Sequence, residues 1–444
     1  MMCQKNLSQK ISKRYCLVAL LCFGSLLGNA QNLSDTEQQI IEQVNSNTAE
    51  SIAFLEETVN INSGTMNPSG VQKIGKLYQR FLEDLGFTTR WVDMPESMNR
   101  GGHLIAEMKG NKGKSLLLLG HMDTVFEEDS PFQRWERRDT IAYGPGTNDM
   151  KGGNMVMLYS LKALKEAGQL EGRQITVVLH GDEENPGRPT DISRKDIIEL
   201  AKKSDVALAY EPGTGFRYAT TARRSSSGWT LEVEGVQAHS ASVFSDHVGS
   251  GAIYETARIL HNFHEKLREE NLTYNASLIV GGSDAKLNAS GIAGHAEGKT
   301  NLVSDIAIVK GDLRTISNEQ LDRTRRKMEA IVAENLPKTE AKITFNDGYP
   351  AMAETPGNRE ILRQFSRVST DLGSVEVEAY DPNLRGAGDI AFIADYIDCL
   401  DGLGVEGGGA HSVKEYVVLT TISEVTQRSA LLIYRLTDPK LAQD

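Results

Sequence analysis

A chain of 444 residues, 39% hydrophobic and 24% charged, can bury a sizeable core and exceeds what a single core usually organises, so two soluble globular domains are the starting expectation. The formal net charge of −12 argues against nucleic acid or an anionic membrane surface as partner.

Lys10, Lys13 and Arg14 precede an apolar run over residues 16–27 and the small-residue exit Gly28-Asn29-Ala30, which together predict a signal peptide over residues 1–30 and a mature chain from about Gln31. The apolar run is shorter than the roughly 20 residues that span a bilayer, so cleavage, a secreted or periplasmic location and no later membrane attachment are expected. Cleavage would remove Lys5, Lys10, Lys13 and Arg14 and no acid, moving the net charge from −12 to −16. It would also remove Cys3, Cys16 and Cys22, leaving Cys399 without an intramolecular disulfide partner.

Apolar residues at helical spacing predict helices over 35–59 and 71–85, ahead of a short strand at 87–92. Three apolar runs, 115–119, 175–179 and 206–209, read as buried strands of a parallel sheet, with helices over 154–167 and 192–202 between them. From about residue 225 the pattern changes to an alternating strand (Trp229, Leu231, Val233), a helix over 249–267, strands at 277–280 and 304–309, a helix over 318–335 and a strand near Ile343. After Pro350 the βα pattern resumes, with helices near 359–370 and 423–436. The fold class expected is therefore α/β: a mixed, largely parallel-sheet domain from residues 31–224 and 349–444, with an α+β module over 225–348 inserted into it.

Each buried run ends in chemically capable residues. The strand at 115–119 leads into Gly120-His121-Met122-Asp123, the next into Gly181-Asp182-Glu183-Glu184, and the third into Tyr210-Glu211-Pro212. In open α/β sheets the ligand site lies beyond the carboxyl ends of the strands, where these groups would converge. Asp149 lies in a glycine-rich loop before a helix, and His411 follows three glycines near the C-terminus. One such residue says little, but five imidazole and carboxylate side chains placed in this way fit a metal-dependent hydrolase.

The segments Gly120-His121-Met122-Asp123-Thr124-Val125, Asn148-Asp149-Met150-Lys151-Gly152-Gly153, Asp182-Glu183-Glu184, Tyr210-Glu211-Pro212 and Ala410-His411-Ser412, in that order, resemble the motifs of the di-zinc metallopeptidase family of aminoacylases, glutamate carboxypeptidases and related dipeptidases. The resemblance covers nearly the whole chain after residue 30, and the inserted module resembles that family's lid or dimerisation domain. It implies two zinc ions per chain, with cobalt or manganese as other options. Asp149 would bridge them, His121 and Glu211 would complete one site, and Glu184 and His411 the other. It implies Glu183 as general base, Asp123 as a carboxylate fixing the His121 tautomer, and a cis peptide from Asp149 to Met150. In the lid, Gly235-Val236-Gln237-Ala238-His239-Ser240 resembles a motif whose His reaches the neighbouring subunit's site in a homodimer and steadies the oxyanion. Asn301 and Arg314 match positions that hold the substrate carboxylate. Gly386 and Gly388, in Arg385-Gly386-Ala387-Gly388-Asp389, would let backbone approach the substrate. His103, His180, His247, His261, His264 and His295 lack such context and read as structural or exposed.

Two departures bear on specificity. Glu184 is followed by Asn185-Pro186-Gly187-Arg188-Pro189 where the family has a Gly-Ser run, and Gly407 to Gly409 replace bulkier residues. A small peptide or an N-acyl amino acid is the expected substrate. The functions left open are a carboxypeptidase of glutamate carboxypeptidase type, an aminoacylase or dipeptidase, and a secreted binding protein without catalysis.

Overall fold

The computed structural model describes residues 33–441; the expected signal peptide and the start at Gln31 lie outside the described residues. Among those residues no helix is long and apolar enough to cross a membrane.

The first helix, Asp35–Val59, starts at a capping box in which Ser34 and Glu37 satisfy each other's backbone amides. The second, Pro68–Leu85, has proline in its first turn and ends on Gly86 in the left-handed region. Both pack with Lys151–Glu166, Pro356–Asp371 and Ile422–Leu436 on one face of a six-stranded sheet. Its spatial order is Thr88–Val92, His103–Met108, Arg173–His180, Lys112–His121, Val206–Ala209 and Asp398–Leu400. The last four strands are mutually parallel and the first two pair antiparallel, so the sheet is mixed and largely parallel. Side chains alternate across it: Leu116 and Leu118 enter the helix-covered core, whereas Leu117 and Leu119 meet Ile197, Ile390 and Cys399 on the other face.

A second sheet, ordered Thr273–Gly282, Ile306–Arg314, Ser226–Glu234 and Glu340–Tyr349, carries the helices Ala252–Lys266 and Asn318–Ala333. It encloses a separate core around Trp229, Leu231, Ile259, Phe263 and Val309. Periodicity missed the hairpin Asp284–Leu287 with Gly294–Glu297, whose residues are mostly exposed. It also predicted one helix over 192–202 where two occur, Thr190–Ser193 and Lys195–Ala201. The break falls at Arg194, whose fully buried guanidinium binds Asp182 and Asp389. Tertiary ion pairing outweighs local propensity there.

Candidate metal centre

The strand Lys112–His121 delivers His121, 1% exposed, to its carboxyl end. The His121 Nε2 atom lies 3.2 Å from Asp149 Oδ1 and 3.8 Å from Glu211 Oε1. On the other side of Asp149, His411 Nε2 lies 3.3 Å from Oδ2 and 3.1 Å from Glu184 Oε2. Asp149 thus turns one carboxylate oxygen towards each histidine. Candidate ligand atoms of His121, Asp149 and Glu211 all fall within 4.8 Å of one another, as do those of Asp149, Glu184 and His411. These are the five residues that the motifs single out. The His411 side chain is 59% exposed, so the second triad opens to solvent while the first is enclosed. Glu184 Oε1 is buried with no hydrogen-bond partner. An unpaired buried carboxylate oxygen is costly, and a cation within its triad satisfies it, so the donor set fits a pair of divalent ions.

The electrostatics agree. Burial and the Asp149 charge push Glu211 up to about 7, and burial with the Glu211 charge holds Glu183 well above the ordinary carboxylate range. Hydrogen bonds to Asp149 and Glu184 carry His411 up to about 11. Burial alone would lower His121, but its bonds to Asp123 and Asp149 outweigh burial and raise it. Crowded acids and their hydrogen bonds raise the proton affinity of Glu183, Glu211 and His411, and divalent cations would compete with those protons.

The cis peptide from Asp149 to Met150 that the resemblance implies is present. Other supports left no trace in the sequence. The loop that presents Asp149 is held by Glu415. That buried carboxylate accepts from the amides of Gly146 (3.2 Å), Asn148 (2.8 Å) and Asp149 (2.9 Å). Asp123 does more than face the imidazole. His121 Nδ1 lies 3.1 Å from the Asp123 carbonyl and 3.4 Å from its Oδ1, while the carboxylate accepts from the Thr65 hydroxyl (2.6 Å) and the amides of Glu183 and Glu184 (3.0 Å each). The Glu183 carbonyl accepts from the Tyr349 hydroxyl at 2.5 Å. Arg223 bonds Asp401 at 2.5 Å, lies 3.9 Å from Glu211 and donates to the carbonyls of Gly386 and Ala387. The glycines before His411 allow a tight turn: a Cβ at Gly407 would collide with the Tyr416 carbonyl, and Gly409 has φ 72°. His411 itself takes φ 61°, a conformation costing a non-glycine residue about 1–2 kcal/mol.

Residues 117–435 match the peptidase family M20/M25/M40. The chain belongs to that family. It is a metallo-hydrolase acting on peptide or amide bonds, which removes the non-catalytic alternative. The peptidase is 28% identical over 396 residues to carboxypeptidase G2 of Pseudomonas sp. (strain RS-16), covering 87% of this chain and 89% of that protein. It is 25% identical over 385 residues to succinyl-diaminopimelate desuccinylase of Bradyrhizobium sp. (strain ORS 278), covering 82% and 93%. Its fold is similar to the aminopeptidase PepT of Bacillus cereus, with a TM-score of 0.70 at 18% identity over 87% of this chain and 98% of that one.

The remaining candidates of the peptidase lie apart from the two triads. His239 and Asn301 are exposed neighbours on the second module, joined where the Ser240 amide donates to the Asn301 carbonyl at 2.8 Å. The His239 Nδ1 atom accepts only from the Ala241 amide, and neither residue contacts the cluster. Arg314 pairs with Asp312 at 3.0 Å. At Gly388 a Cβ would press on Arg223, whereas at Gly386 it would meet open space. Of the other histidines, His180 is buried against Asp389 and His103 against the Ser193 carbonyl; His247, His261, His264 and His295 are exposed.

Proposed function

We propose that this peptidase is a zinc-dependent hydrolase of an amide or peptide bond beside a free carboxylate, of the glutamate carboxypeptidase type. The observation that carries this reading is Asp149, whose two oxygens each face a separate imidazole and carboxylate set. His121, Asp149 and Glu211 would hold one zinc ion, and Asp149, Glu184 and His411 the other. Cobalt or manganese suits the same donors. When bound, the pair supplies Lewis acidity to the scissile carbonyl and to the attacking water. Glu183 takes the proton from that water and returns it to the leaving nitrogen. Asp123 orients His121 and, through the two amides it accepts from, fixes the backbone that carries Glu183 and Glu184.

Residues 225–348 act as the lid and dimerisation domain of a homodimer. His239 crosses to the neighbouring subunit's site and donates to the carbonyl oxygen as negative charge develops there. Asn301 and Arg314 receive the substrate carboxylate, with the Gly386 and Gly388 backbone beside the substrate. Exposure of His239 and Asn301 without contact to their own cluster supports this arrangement. So do Phe244, Ile253, Tyr254 and Ile279, all at least half exposed on the same module. Residues 1–30 direct the chain to the periplasm or the medium. A second reading, hydrolysis of a small N-acyl amino acid or dipeptide, draws on the likeness to the desuccinylase.

The test is metal analysis of zinc-loaded protein with a panel of C-terminal glutamate conjugates, N-acyl amino acids and dipeptides, read by amine release. About two ions per chain and fastest release of glutamate are expected. Faster cleavage of N-acyl amino acids or dipeptides would favour the second reading, and no cleavage by fully loaded protein would overturn both.

A further inference from the structure

The arginines around the centre differ in how far their charge is paired. Arg194 binds Asp182 at 2.6 Å and Asp389 at 2.7 Å, Arg223 binds Asp401, and Arg314 binds Asp312. Arg100 and Arg188 are spent on backbone carbonyls. Arg385 has no carboxylate within 4.0 Å among the described residues. Its one hydrogen bond runs from Nη2 to the carbonyl of Pro212, the residue after Glu211, at 2.8 Å. Its Nε is buried and has no partner. The side chain feels the Arg223 charge first, then those of Asp401, Glu211 and Asp149, and sits on the loop that Arg223 pins through the Gly386 and Ala387 carbonyls. Beside it, the Cβ direction of Gly386 opens on nothing within 4 Å.

We infer that Arg385 binds a carboxylate of the substrate from the same chain that provides the metal ligands, in addition to any clamp contributed by the lid. A partly buried guanidinium without an ion-pair partner carries a desolvation cost that an arriving carboxylate reduces. The nearby acids do not meet that need: Asp401 is paired with Arg223, all three lie beyond ion-pair distance of Arg385, and in the proposed reaction the charge of Glu211 and Asp149 is taken up by metal ions. With Nη2 anchored on Pro212, Nε and Nη1 remain as separate donors and the charge of the guanidinium has no ion-pair partner. The open space at Gly386 gives the ligand a way in. The inference rests on the proposed reaction, because it places a carboxylate beside the bond being cut.

The test uses the zinc-loaded full chain, with Arg385→Gln and Arg385→Lys beside the parent. Glutamine can retain a donor to the Pro212 carbonyl but has no charge, and lysine retains the charge without the fork. Calorimetric binding of glutamate is compared with that of glutamine and isoglutamine, in which one carboxylate is amidated in turn, alongside turnover of a C-terminal glutamate substrate. The parent should prefer glutamate over one of the two amides by about 10- to 100-fold. Arg385→Gln should erase that preference and raise KM by a similar factor, with kcat within about threefold, and Arg385→Lys should lose less. Metal content and unfolding midpoint should match the parent, which a purely structural arginine would not allow. If Arg385→Gln keeps the preference while the parent turns the substrate over, the role of Arg385 is overturned and the proposed reaction stands. If the loaded parent neither binds glutamate nor cuts any conjugate, both fall together.

Discussion

Replacing Glu415 by alanine should cost both stability and metal, and the structure sets the size of each effect. Glu415 accepts three hydrogen bonds from backbone amides in a site closed to water, two on Oε1 and one on Oε2. Truncation strands those donors. A buried unsatisfied amide costs about 1–3 kcal/mol, so the low end for three is about 3 kcal/mol before any cavity term. Glu415→Gln keeps Oε1 for Asn148 and Asp149 and turns an NH2 towards the Gly146 amide, so the expected loss is smaller, about 1–2 kcal/mol. Asp149 sits at the end of the same loop and belongs to both triads. Its displacement should weaken both metal sites together, by about 10- to 100-fold each. Glu211→Ala, by contrast, should weaken one site. Urea unfolding of metal-free protein reads the first quantity, and zinc titration against a competing chelator reads the second. A Glu415→Ala protein that unfolds at the parental urea concentration and binds both ions within twofold of the parent would show that Glu415 does not hold the Asp149 loop.

Glu183→Gln should retain both ions and the fold while lowering kcat by about 10²- to 10⁴-fold; near-parental turnover would remove Glu183 from the role of base. Mixing inactive His239→Ala and Glu183→Gln chains under conditions of subunit exchange should restore activity through hybrid dimers that hold one intact site. No recovery despite demonstrated exchange, or full activity from a strictly monomeric protein, would rule out the shared site. Glu269 is bound by Arg323, Lys327 and Gln320, and these bonds hold its carboxyl down to about 2. A depressed carboxylate stabilises the fold above its unfolded pKa and loses that contribution as pH falls towards the folded value. Glu269→Gln should therefore be less stable than the parent near pH 7, by about 1 kcal/mol after solvent screening, with the gap narrowing as pH falls below about 4.5. A gap that widens on acidification contradicts this.

The candidate metal-binding residues were legible because each follows a local signal: a buried apolar strand that stops, or a glycine-rich turn, with the residue just beyond. Long periodic helices such as Asp35–Val59 and Ile422–Leu436 were legible for the same reason. What escaped depends on partners distant in sequence. Glu415 lies beside Lys414 and reads as a solvated charge; only the fold carries it beneath Asn148 and Asp149. Arg194 reads as one more helical residue, although its bonds to Asp182 and Asp389 break the helix. Arg223 stands in a run with no periodic or motif signal, and Arg385 opens a glycine-rich segment that drew attention only to its glycines. His180 could be read as structural, but its pairing with Asp389, more than two hundred positions away, could not.

The second module re-enters the sheet domain at Tyr349, the last residue of its strand Glu340–Tyr349. The Tyr349 hydroxyl grips the Glu183 carbonyl, and two residues earlier the Asp347 carbonyl receives Arg188 at 3.0 Å, from the loop just beyond Glu184. The strand end is thus tethered on both sides of a metal-facing carboxylate. If the module swings about this exit as the proposed lid would, the Glu183–Glu184 backbone moves with it, because the same strand end holds both. In the proposed mechanism, opening for product release and retuning of that segment would then be one motion.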